Sequence, residues 1–281
     1  MASGSRLRPV SLLPSLITLG NLACGVAALL WILEAARTGD PERLALAGWL
    51  ILLAMIFDGM DGKIARLTRE TSDLGAQLDS LSDGVTFGLV PAVLGRTLVL
   101  LEGPSIGIRM HPRLLFVAPI LFAACAVLRL ARFNLEHAGE DPSRDRLHFA
   151  GIPTPAAAAL PMALTLFYFA VGDPSFLLPL GAAGVEGVRS VILRSMPFLL
   201  IGLGALMVSR VPFPHLMGWL SRARRPFPLM AEVVITVGLL LVEPELALVL
   251  AALGFALLPL FPAALGLFRG RTARAESKPH D

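Results

Sequence analysis

Cysteine is scarce in this chain. Cys24 and Cys125 are the only two in 281 residues, both lie inside apolar stretches, and no Cys-x-x-Cys spacing occurs. That excludes a disulfide framework and a thiolate zinc site. The five histidines, His111, His137, His148, His215 and His280, stand apart with no His-x-x-x-His pair, so a helical histidine metal site is excluded as well. Charge is sparse too, at 16% Asp, Glu, Lys and Arg. The net charge is +3 and the pI near 9.4, but the basic residues are scattered between apolar blocks and form no continuous patch. Nucleic acid is thereby removed as a partner, and anionic lipid headgroups are left as the counter-charge.

What the chain does have is apolar length. It is 55% hydrophobic with a mean hydropathy of +0.72, and its apolar blocks reach the roughly 20 residues that a helix needs to cross a bilayer. A soluble helical bundle would show a polar stripe at helical period, and Val10 to Leu33 carries none. The first block follows Arg6 and Arg8 as a signal peptide would, but it is longer than an h-region of about 7–15 residues and reads as a retained span. The expected fold is an all-α polytopic membrane protein of about eight transmembrane helices, near 11–33, 44–66, 73–101, 114–135, 154–172, 188–208, 227–242 and 246–268. Pro174 to Gly184 is apolar but too short to span and reads as interfacial. With the N-terminus inside, 17 of the 24 Lys and Arg residues fall on the inner side, so both termini are expected in the cytoplasm. No internal repeat occurs. Residues 1–271 read as a single membrane domain and 272–281 as a disordered polar tail.

The acids sit where a membrane protein tolerates them least. Asp58 and Asp61 end the second block, and Asp79 and Asp83 lie in the first half of the third. Spacings of three and four put each pair on one helix face. Two antiparallel neighbours then present four carboxylates to one point at the cytoplasmic end. Carboxylates at that depth need a positive partner. Lys63, Arg66 and Arg69 are candidates, and a hard divalent cation combined with substrate phosphates is the stronger one. Gly59, Gly62, Ala65, Gly75 and Ala76 stand among the acids, serving either close helix packing or a groove for a ligand. Asp73 reads as a helix cap.

As a string, Asp58-x-x-Asp61-Gly62-x-x-Ala65-Arg66 followed by Gly75-x-x-x-Asp79-x-x-x-Asp83 places eight specified residues over 26 positions. It resembles the signature of the CDP-alcohol phosphatidyltransferases at every fixed position. The resemblance implies a membrane-embedded helical enzyme, usually homodimeric, that binds a CDP-linked donor and Mg²⁺ or Mn²⁺ as a pair of ions. Carried over, Asp58, Asp61 and Asp79 are metal ligands, and Asp83 touches the second metal and acts as the base. Gly62, Ala65 and Gly75 shape the cytidine and pyrophosphate pocket, while Arg66 serves the phosphates or neutralises the acids.

Further stretches resemble the phosphatidylserine synthase branch of that family: Leu13-Pro14 through Thr18, Asn21 and Gly25, then Asp83-Gly84-Val85, Arg129 to Asn134, Gly151 to Pro155, and Met207 to Arg210. Ser15 departs from the branch. The resemblance implies a phospholipid-synthesis enzyme of the cytoplasmic membrane that moves the phosphatidyl group of CDP-diacylglycerol to L-serine, with Asn21, Arg129, Arg132 and Asn134 on the acceptor or a phosphate. Arg129 and Arg132, at i and i+3, either grip a phosphate or carboxylate or snorkel as positive-inside anchors. Glycerol 3-phosphate, inositol phosphate and choline are alternative acceptors. A cation-coupled transporter is the alternative of another class, but the acids have no second copy and sit toward one face.

Overall fold

The computed structural model describes residues 12–68, 73–138, 149–177, 180–209, 211–213, 238–239 and 241–257. Helices α1 (Leu12–Thr38) and α2 (Arg43–Thr68) form the first hairpin. Its turn is written locally in Thr38-Gly39-Asp40-Pro41. Gly39 takes φ +72° and donates its N–H to Ala35 O at 2.9 Å, a left-handed stop that residues with a Cβ disfavour. Asp40 then accepts from the Glu42 N–H at 3.2 Å and pairs with Arg43 at 2.9 Å, starting α2.

The third span bends. Helix α3 (Asp73–Asp83) runs into a π-helical turn, Gly84–Leu89, and then α4 (Val90–Glu102). The cause is legible in Pro91, which has no N–H to donate to Phe87 O. The ladder slips, Val90 N–H reaches back to Val85 O, and the turn widens by a residue.

Helix α5 (Pro112–Ala138) starts behind His111, whose carbonyl accepts from Leu114 and Leu115. Helices α6 (Thr154–Ala170), α7 (Ala182–Val208) and α8 (Pro244–Leu257) follow. Between them a two-residue strand β1 (Phe149–Ala150) pairs antiparallel with β2 (Pro212–Phe213). Gly151 beside β1 has φ +89°, and a Cβ there would lie 2.3 Å from Met207 O. No other residue lets the two backbones approach so closely.

The helices pack through small residues. A Cβ on Gly48 would meet Leu166 at 2.8 Å, one on Gly95 would meet Met196 at 2.9 Å, and Gly204 lies against Phe122 and Cys125. These contacts join α2 to α6, α4 to α7 and α5 to α7, as expected of close packing in lipid. At the end of the bundle away from the aspartates, Tyr168 OH donates to Glu102 at 2.6 Å and the Arg189 guanidinium lies over the Tyr168 ring at 4.8 Å, tying α4, α6 and α7 together. Leu30, Leu81, Phe116, Leu135, Val191 and Phe198 point outward and exposed, the reverse of a soluble protein's surface.

Five helical segments are long and apolar enough to cross a membrane: Ser15–Thr38, Arg43–Asp61, Leu74–Glu102, Pro112–Leu135 and Ala182–Val208. Two shorter apolar helices, Thr154–Ala170 and Pro244–Leu257, accompany them. The protein is an integral membrane protein, and its described residues are helical apart from the two-residue strands and the connecting turns. Most of the expected seventh span at 227–242, the end of the eighth and the tail lie outside the described residues. One boundary moves: α7 begins at Ala182 rather than near 188, because Gly181 in extended conformation provides its N-terminal flank. Ala182 to Gly184, read from the sequence as interfacial, therefore belong to α7.

Candidate active site

Four chain segments converge at one end of the bundle. From α2 come Asp58 and Asp61, and from α3 Asp79 and Asp83. Asp58, Asp61 and Asp79 each offer a carboxylate oxygen, and the three oxygens lie within 4.8 Å of one another. Asp83, one turn beyond Asp79, stands beside them, its carboxyl within hydrogen-bonding reach of that of Asp58. The antiparallel crossing of α2 and α3 unites the pairs, and the i,i+3 and i,i+4 spacings keep both members of each pair on the shared face.

Helix α1 supplies the donors. Thr18 Oγ1 donates to Asp61 Oδ2 at 3.0 Å, and Asn21 Nδ2 donates to Asp83 Oδ1 at 3.0 Å. Asn21 is fully buried, and Thr18, Asp61 and Asp83 are each no more than 7% exposed. One turn on, Gly25 lets α1 approach the π turn until a Cβ there would sit 2.3 Å from Thr86 Oγ1. Thr86 in turn donates its hydroxyl to Asn21 O at 3.4 Å. Thr18, Asn21 and Gly25 thus form one inward stripe on a helix that carries no charge before Glu34.

Two buried oxygens in this site accept no hydrogen bond: Asp79 Oδ1 and Asn21 Oδ1. Buried oxygens without donors are costly. At Asp79 the oxygen belongs to the three-carboxylate cluster, and packed carboxylates with an orphaned lone pair suit a hard divalent cation that takes oxygen ligands. The donor set fits Mg²⁺ or Mn²⁺, and contains no soft ligand.

The remaining expected residues divide. Arg129 is half-buried at the site end of α5, donates from Nη1 to Thr154 Oγ1 at 2.8 Å, lies over the Phe133 ring at 5.9 Å and is near enough to Asp83 for their charges to interact. Arg132 is exposed. Asn134 exchanges hydrogen bonds with Ser80 at 3.0 and 3.1 Å, tying α5 to the side of α3 that faces away from α2. The structure therefore brings Arg129 to the acids, leaves Arg132 exposed and ties Asn134 to Ser80. Gly75 is half-buried on the first turn of α3. Gly62, Ala65 and Arg66 lie on the last turns of α2, and their side-chain surroundings are outside the described residues, as is that of Asp73.

In the sequence Thr18 and Thr154 stand out only as parts of longer stretches, and Ser80 and Thr86 do not stand out at all. A hydroxyl in an apolar helix is often a backbone-bonded spectator, as Thr165 is here, donating to Pro161 O at 2.8 Å. The available signal was the spacing of Thr18, Asn21 and Gly25 on one face of a charge-free span.

Known proteins share this arrangement of sequence. A protein from Helicobacter pylori strain J99 named CDP-diacylglycerol–serine O-phosphatidyltransferase is 29% identical over 246 residues, covering 86% of this chain and 86% of the relative. A Bacillus subtilis protein of the same name is 30% identical over 203 residues, covering 72% of this chain and 90% of the relative. Residues 11–196, which hold all four aspartates, α1 and Arg129, match the profile described as CDP-alcohol phosphatidyltransferase, and the chain belongs to that family.

Proposed function

We propose that this enzyme transfers the phosphatidyl group of CDP-diacylglycerol to the hydroxyl of L-serine, giving phosphatidylserine and CMP. The observation that carries the reading is the convergence of Asp58, Asp61 and Asp79 to within 4.8 Å beside an Asp83 held by Asn21. The names of the relatives support the donor and the acceptor.

Asp58, Asp61 and Asp79, with Asp83 on the far side, would hold two divalent ions, Mg²⁺ or Mn²⁺. Such ions supply charge neutralisation of the pyrophosphate, which makes CMP a better leaving group and phosphorus a better electrophile. Asp83 takes the proton of the serine hydroxyl as its oxygen attacks the phosphatidyl phosphorus in line. The new P–O bond forms as the bond to the CMP oxygen breaks. A carboxylate near cations is a weak base, so the hydroxyl has to be held close to both phosphorus and Asp83. Asn21 keeps the carboxylate of Asp83 aimed. Arg129, beside Asp83 and braced on Thr154, is placed to grip the serine carboxylate in bidentate fashion. Arg132 and Asn134 support the acceptor site from the same end of α5, Asn134 by bonding α5 to α3 through Ser80, and Gly62, Ala65, Arg66 and Gly75 line the path of the CDP moiety.

The reading includes eight spans in a single domain of residues 1–271, cytoplasmic termini, a cytoplasmic active site in the cell membrane, and a homodimer. The span count is supported by two contacts at opposite ends of the bundle: α7 finishes where Ile152 N–H meets Leu206 O at the aspartate end, whereas α8 begins where Leu177 N–H meets Glu243 at the other. The 17 of 24 basic residues on one side support the orientation. The test is CMP release by the purified protein with CDP-diacylglycerol and Mg²⁺ or Mn²⁺, with serine, glycerol 3-phosphate, inositol, inositol phosphate and choline compared as acceptors. Serine-dependent, chelator-sensitive release is expected. Release with another acceptor alone would sink the serine assignment.

A further inference from the structure

Outside the catalytic face, α3, the π turn and α4 form with α5 a groove of about 1000 Å³ that opens to the surface of the bundle. Its walls are apolar, among them Leu81, Leu89, Phe116, Ile120 and Val127, each at least 40% exposed. At the aspartate end its polar groups Ser80 and Asn134 bond each other. At the other end stands Arg96, the one charged residue lining it among the described residues. Among those residues no acid lines the groove, and Arg96 has no hydrogen-bond or ion-pair partner.

The placement of Arg96 depends on the π turn. In an unbroken helix at 3.6 residues per turn, Arg96 would stand about 100° round the axis from Gln77. The extra residue of the Gly84–Leu89 turn brings it back into line with Gln77 on the groove wall. Arg96 is six residues from Glu102, the far end of the span, and thirteen from Asp83. It therefore lies in the leaflet opposite the aspartates. A half-buried guanidinium in an apolar wall at that depth favours an anionic partner, and its planar fork matches a phosphate.

We propose that this groove is a binding site for a whole phospholipid of the leaflet away from the catalytic centre, its phosphate on Arg96 and its acyl chains along α4 and α5. The site is separate from that of the donor: Gln77, Ser80 and Gly84 face the groove, whereas Asp79 and Asp83 face α1 and α2.

The probe is phosphatidylglycerol, titrated into delipidated full-length protein in detergent and followed by native mass spectrometry. Wild type is expected to retain one phosphatidylglycerol per protomer, about tenfold more tightly than Arg96→Gln, the loss of one charge-assisted phosphate contact. Ala124→Trp, which fills the groove and keeps the cation, should lose the lipid as well. Arg113→Gln, an exposed cation at the same end, and Asp58→Asn in the catalytic cluster should both retain it. CMP release by Arg96→Gln in saturating donor at close to the wild-type rate would show that the variant is folded. Equal retention by Arg96→Gln and wild type would overturn the proposal. So would lipid-independent cross-linking between two protomers through Ala124→Cys in a Cys24→Ser/Cys125→Ser background, which would put a second copy of the chain in the groove.

Discussion

Asn21 Nδ2 donates to Asp83 Oδ1 at 3.0 Å across 62 positions of sequence, and Asn21 is fully buried in doing so. One side chain on the first span thus sets the direction of a carboxylate on the third. Replacing Asn21 by Ala should leave the protein folded and lower kcat by about 10–100-fold, the usual cost of losing a residue that orients an active group. Asn21→Asp should be worse, since it puts a second carboxylate against Asp83 with no donor between them. Steady-state kinetics with serine varied will separate a fall in kcat from a rise in KM. A change confined to KM would count against a positioning role.

The aspartates should divide by function. Asp83→Asn is expected to abolish turnover while donor binding stays within a few-fold, because the amide cannot take the proton. Asp58→Asn and Asp79→Asn should weaken metal-dependent donor binding as well. Binding of CDP-diacylglycerol measured with and without Mg²⁺ distinguishes the two classes, and wild-type activity in Asp83→Asn would remove its assignment as base.

Chelation should silence the enzyme reversibly. EDTA is expected to abolish CMP release, and Mg²⁺ or Mn²⁺ to restore it, because clustered carboxylates prefer hard cations. Full activity in excess chelator would mean that the cluster of Asp58, Asp61 and Asp79 works without metal.

Gly25 is expected to tolerate no side chain. A Cβ would lie 2.3 Å from Thr86 Oγ1 and 3.1 Å from Thr86 Cα, so Gly25→Ala must push α1 from the π turn, at a cost of about 1–3 kcal/mol for overpacking. That shift also moves Asn21 away from Asp83, so activity should fall together with thermal stability in detergent. Thr86→Ala added to Gly25→Ala removes the closest atom, Thr86 Oγ1, and should recover part of both losses.

Arg129→Lys should raise the KM for serine by about tenfold, equivalent to roughly 1.4 kcal/mol, with a smaller effect on kcat, since an ammonium cannot reproduce a bidentate fork. Arg132→Lys, at an exposed position, should change the KM far less. Equal effects of the two would return both arginines to membrane anchoring.

The sequence by itself determined the membrane class, the approximate place of five spans and the pairing of the acids on two helix faces. These follow from local physics: run length against bilayer thickness, and helical period. The motif also carried the family. The tertiary structure alone decided which of the residues near the acids belong to them. Arg129 and Arg132 look equivalent in the string, but the packing of α5 against α6 turns Arg129 to Thr154 and leaves Arg132 exposed. Asn134 goes to Ser80 because the relative rotation of α3 and α5 puts those two faces together. Thr18 meets Asp61 and Asn21 meets Asp83 because Gly25 admits α1 to the π turn. The widened turn itself comes from Pro91, eight residues beyond Asp83 and twelve beyond Asp79. Such partnerships are long-range matches of shape, set by the rotation and separation of whole helices, and hydropathy along a single span carries no trace of them.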